Sequence, residues 1–95
     1  MYPEKYNIPH ITEENAYLIA FDEYNNAKLK QPNNFGELVK SERFHPMWYI
    51  FYARDYQKEE DGMTPGLLTI RVDKLSGGLI SWEEDRQYRL LNDSF

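Results

Sequence analysis

The chain has 95 residues and no cysteine, so disulfide staples and thiolate metal sites are both excluded. A fold of this size must then hold itself together by packing alone, and a reducing compartment suits it. Basic residues are few: eleven Lys and Arg stand against sixteen Asp and Glu, for a formal charge of -5. That balance argues against non-specific binding to nucleic acid or to an anionic membrane. It suits a basic protein partner, or simply solubility. Long apolar runs are absent too. The longest, Met47 to Ala53, is far short of the ~18 residues a membrane span needs. The first ten residues, MYPEKYNIPH, lack the basic and apolar regions of a signal peptide. The expectation is a soluble cytoplasmic protein of one domain, residues 1–95, that does not act at a membrane.

What the chain has in quantity is aromatic side chains. Eight Tyr, five Phe and two Trp make up 16% of it. Each brings a large apolar area, which lets a small domain build an adequate core.

Residues 1–10 hold two Pro and no period, and read as an irregular arm. A helix is predicted over 12–29. Thr12 can cap it, and Glu13 and Glu14 lie where the macrodipole favours acids. Ala16, Tyr17, Ala20, Phe21, Tyr24 and Ala27 share one side, with Asn15, Asp22, Asn25 and Asn26 opposite. Pro32 prevents much continuation. The stretch from Glu37 to Phe44 reads as a short edge strand or a helical turn, with the strand favoured. MWYIFYARDY is the strongest strand signal. Trp48, Ile50 and Tyr52 point one way and Tyr49, Phe51 and Ala53 the other. Both faces are apolar, so this strand should be central and covered on each side.

Asp61-Gly62 and Pro65-Gly66 then mark a polar connection. LLTIRVD alternates, with Leu68, Ile70 and Val72 inward. KLSGG reverses the chain, and LISW opens a return strand predicted to reach about Tyr88. In the turn, Asp73 or Ser76 can bond nearby backbone N–H groups, and Gly77 or Gly78 can take a positive φ. One helix followed by a run of strands predicts an α+β fold: an N-terminal helix packed on a three- to four-stranded antiparallel β-meander over 47–88.

The stretch VDKLSGGLI resembles the hairpin of PepSY-like small α+β domains. The order from Trp48 to Ile80 is an aromatic strand, an acidic connection with a Tyr, a Gly, an apolar strand and the V-D-K-x-[ST]-G turn. With the Ala-faced helix before it, this resembles the immunity protein 35 class of bacterial polymorphic-toxin systems, over about two-thirds of the chain. The Gly-x-x-Pro that precedes the second strand in that family is not reproduced, since Pro65 comes before Gly66. The resemblance implies a non-catalytic protein that binds and neutralises a cognate toxin. It assigns no functional residue.

The residues themselves offer little catalytic chemistry. His10 and His45 each adjoin a Pro and have no partner at metal-ligand spacing, so neither a metal nor another cofactor is expected. No nucleophile elbow, phosphate loop or dinucleotide fingerprint is present. Glu59-Glu60 and Glu83-Glu84 are adjacent pairs, which an extended strand would point to opposite faces. The aromatic strand could stack bases, but only Arg54 accompanies it, and core packing is the better reading. If successive hairpins alternate ends of the meander, Asp55, Glu59, Glu60 and Asp61 share one end with Glu83, Glu84 and Asp85. Tyr56 and Trp82 are there as aromatic anchors. That acidic end is the expected partner-binding site, for a basic toxin domain. A protease-binding inhibitory or regulatory module of PepSY-like or cystatin-like type is the alternative, and homo-oligomerisation is compatible with either. An enzyme is the least favoured class.

Overall fold

The computed structural model describes residues 10–59 and 66–92. The arm up to Pro9 and the Asp61-Gly62 turn lie outside the described residues. Helix α1 spans Glu13–Lys30 and is followed by strands β1 (Val39–Lys40) and β2 (Trp48–Arg54). A short 3-10 turn, Tyr56–Glu59, leads toward β3 (Leu67–Asp73) and β4 (Leu79–Ile80). Helix α2, Trp82–Asn92, completes the order. The strands form one antiparallel sheet in the order β1-β2-β3-β4, so the fold is α+β with a meander.

Helix α1 begins where its cap places it. The Asn15 N–H donates to Thr12 Oγ1 at 3.1 Å, and Glu13 and Glu14 occupy the first turn. Ala16 and Ala20 are fully buried. Their small side chains let α1 lie close on the sheet, over Phe51, Ala53, Ile70 and Val72. Tyr17 meets the edge of the Phe51 ring at 5.7 Å between centroids. The Tyr24 hydroxyl donates to the Gly36 carbonyl, which fixes the far end of α1 to the strand β1 connection. Burial raises the pKa of that hydroxyl, and the nearby Glu37 adds to the effect.

Cross-strand partners show the two faces. Phe51 opposite Ile70 and Tyr49 opposite Val72 lie under α1, while Ile50 opposite Arg71 and Tyr52 opposite Thr69 lie on the second face. Strand β1 sits at the edge as expected for the Glu37–Phe44 stretch, pairing Val39 with Tyr52.

The opening turn of the β3–β4 hairpin is built around Asp73. Its Oδ2 accepts from the N–H groups of Leu75 (3.1 Å) and Ser76 (2.7 Å) and from Ser76 Oγ (2.9 Å). Gly77 takes the positive φ, +74°, and a Cβ there would lie 3.2 Å from Ile19 Cδ1 of α1. Two requirements therefore select glycine, backbone conformation and close approach. The turn also holds the start of α1: Ile11 N–H donates to the Lys74 carbonyl at 2.7 Å, and Tyr49 Oη donates to the Ile11 carbonyl at 2.9 Å.

The return strand stops earlier than predicted. It ends at Ile80, and the residues expected to extend it to Tyr88 form α2. The cause is a capping box. Glu84 N–H donates to Ser81 Oγ at 3.1 Å, and the Ser81 N–H donates back to the Glu84 carboxylate at 3.4 Å. Three acids in the first helical turn add favourable charge there.

Candidate functional site

The second face of the sheet is only half covered. Helix α2 crosses part of it but buries a single residue among those described, Asp85. That carboxylate receives Arg71 of β3 at 3.5 Å and Arg89, one turn along α2, at 3.3 Å. The Asp85 and Arg71 side chains are each largely buried, whereas Arg89 is 58% exposed. Tyr88 adds the apolar part of the anchor. It meets the Trp48 ring edge-on at 5.2 Å, and His45 stacks on the same Trp48 at 3.8 Å. His45 Nδ1 accepts from the Met47 N–H at 3.0 Å, so the neutral imidazole carries its proton on Nε2. Burial pushes the His45 pKa down, aided by Lys74 and Arg71 and opposed by Asp85.

Beside α2 an open groove of about 560 Å³ runs over the sheet. Its floor is Ile50, Tyr52, Leu67, Thr69 and Arg71. One wall is Trp82, Asp85 and Arg89, and the other is the Ser41–His45 connection. Phe44 and Trp82 stand at its rims, 82% and 59% exposed. Lys74 sits over the Phe44 ring at 4.6 Å, and Arg86 over the Trp82 ring at 5.7 Å. The groove thus carries exposed aromatic and arginine side chains on a rigid sheet. Those residue types dominate interface energies.

The acidic end expected from the sequence is divided by the fold. Asp55 closes the end of β2 and is buried. Its Oδ1 accepts from Asn34 Nδ2 at 2.8 Å and from the Gln57 N–H at 3.1 Å, which fixes the turn after the strand. Asp85 is likewise an internal group. Glu83 and Glu84 are exposed, but they start α2 beside Arg71, four residues from Leu67 and so about 13 Å along β3 from the Asp55 end. Tyr56, at the Asp55 end, is half-exposed beneath Arg54. Glu59 ends the 3-10 turn. Glu60 and Asp61 lie outside the described residues. The expected co-location fails because a helix starts at Trp82 and takes Glu83, Glu84 and Asp85 back across the second face.

Among the described residues, no three His, Asp or Glu side chains converge as a metal site, and no helix is long and apolar enough to cross a membrane. The groove residues Arg43, Phe44, Tyr52 and Arg89 were not expected from the sequence. Ser81-x-x-Glu84 was the signal that could have located their wall, since it marks the start of α2. Compared with protein-family models, curated proteins and solved structures, the chain matches none.

Proposed function

We propose that this protein is a non-catalytic binding module that neutralises a protein partner, in the manner of a toxin immunity protein, and that it does so through the half-covered sheet face. The observation that carries this reading is the exposed set Phe44, Trp82, Arg43 and Arg89, with half-buried Tyr52 between them, around one open groove. Burying such a set on a partner would release apolar surface from water at about 25 cal/mol per Å². A rigid sheet floor keeps the ordering cost low. The hairpin turn has a supporting task here. By fixing β3 against β4 it sets where α2 starts, and so sets the groove's width.

The test is crosslinking in the native host with a photoreactive phenylalanine at Tyr52 or at Trp82, and at Leu18 on the open side of α1 as the control. A single partner joined at the first two positions, whose toxicity in a naive cell is relieved by the parent and not by the Trp82→Ala/Phe44→Ala variant, supports the proposal. Adducts confined to Leu18, or relief that the double variant retains in full, would refute it.

A further inference from the structure

The charge around the groove is opposite in sign to that of the protein. The chain carries -5, yet Arg43, Arg71 and Arg89 line the groove against Glu42 and Asp85. Lys74 stands just behind, at the far side of the Phe44 ring. Asp85 is already engaged by two of the arginines through one oxygen. A guanidinium has five N–H donors, so Arg71 and Arg89 keep donors beyond those given to Asp85. The Arg43 guanidinium makes no ion pair among the described residues, and Arg43 is exposed. The exposed acids Glu83 and Glu84 lie on α2, and Glu84 is occupied with the Ser81 cap.

We infer that the groove takes an acidic segment of the partner protein, with a carboxylate bound between Arg43 and Arg89 and an apolar neighbour on Tyr52 and Trp82. This rests on the proposal that the second face binds a protein, and it names the chemistry of what binds. It reverses the sign of partner that net charge alone would suggest. Two length scales favour a short acidic segment over a nucleic acid. Charges act over about 8–10 Å at physiological salt, so a carboxylate seated in the groove feels its three arginines against its two acids, Glu42 and Asp85, more than the acidic remainder of the chain. A nucleic acid strand has a charge at every nucleotide and would run out of the groove onto a surface of its own sign. Bidentate geometry adds to this, because arginine and carboxylate match in plane and spacing.

The experiment is selection of random twelve-residue peptides, displayed on phage, against the immobilised full chain. Enriched peptides are then synthesised and titrated into the parent, Arg43→Glu, Arg89→Gln and Trp82→Ala proteins, each checked for an unchanged far-UV spectrum. Twelve-nucleotide oligo(dT) is titrated alongside. The expected result is enrichment of Asp and Glu beside an apolar residue, binding weakened about tenfold by each arginine substitution, and no binding of oligo(dT). Peptides without acidic bias that lose binding to Trp82→Ala but not to Arg43→Glu or Arg89→Gln would overturn the acidic occupant and leave the binding face standing. Oligo(dT) binding that the arginine substitutions weaken would also overturn it, in favour of a nucleic acid. Peptides that bind all three variants as they bind the parent, or a selection that enriches nothing, would overturn both the occupant and the face.

Discussion

Asp85 of α2 and Arg71 of β3 form an ion pair, 3.5 Å between oxygen and nitrogen, with both side chains largely withdrawn from water. This pair and the Tyr88 contacts with Trp48 and His45 tie α2 to the second sheet face. Removing one member leaves the other buried without its counter-charge, which costs about 3 kcal/mol. Asp85→Ala should therefore destabilise strongly, and Arg89→Ala, at a mostly exposed side chain, by less than about 1 kcal/mol. Urea denaturation measures both. Hydrogen exchange should also show the amides of α2 losing protection in Asp85→Ala before those of β2 and β3. Equal stability of the two variants would contradict this account of the anchor.

Gly77→Ala should cost about 1–2 kcal/mol, because its φ is +74° and the new methyl would press on Ile19. Gly78→Ala should cost less than about 0.5 kcal/mol, since Gly78 has no positive φ and its new methyl would meet only the Ser76 hydroxyl oxygen. Thermal melts of the two variants give the comparison. The reverse order would move the strained position.

The Asp73 carboxyl is held below its ordinary value of 3.8, chiefly by the Ser76 N–H, with the Ser76 hydroxyl and the Leu75 N–H adding to it. The folded protein therefore binds that proton less readily than the unfolded chain. Its contribution to stability is complete above the unfolded value and is lost as pH falls through the lower folded one. The stability gap between parent and Asp73→Ala should shrink when denaturation is repeated at about pH 2.5 instead of about pH 6. A gap that is constant with pH would show that the carboxylate charge is not what the turn uses.

His45 titrates with the same sign for a different reason. Burial against Trp48 depresses its pKa below 6.5, and protonation gives up the bond that Nδ1 accepts from Met47. Stability is fully present above 6.5 and falls as pH drops from there through the lower folded value. His45→Phe keeps a ring on Trp48 and removes the proton. Between about pH 7 and pH 5 the parent should lose stability relative to this variant, as read by denaturant midpoints. Parallel curves would refute the assignment.

The sequence made α1, β2 and β3 legible because each repeats a simple period. Ala16, Ala20 and Tyr24 lie on one helical stripe, and Phe51 and Ala53 alternate with Ile50 and Tyr52. Asp73 and Gly77 announced the turn through residue types that have specific backbone uses. Helix α2 was less legible. LISW reads as a strand start, and the helix that follows is short and buries only one side chain among those described. Ser81 and Glu84 did mark its beginning. Asp55 and Asp85 read as members of an acidic partner-binding end, and their burial is not legible because the groups that engage them, Asn34 and Arg71, are remote in sequence. Runs of acids look alike whether they face water or an arginine. The groove was illegible for the same reason: its walls come from β1–β2, β3 and α2 together.

The most direct test is amide and indole chemical-shift mapping of the ¹⁵N-labelled full chain with the partner identified by crosslinking. Tyr52, Thr69, Arg71, Arg89 and the Trp82 indole should shift or broaden, while Leu18, Asn25 and Asn26 on the open side of α1 stay in place. Perturbation centred on α1, with the Trp82 indole unmoved, would contradict it.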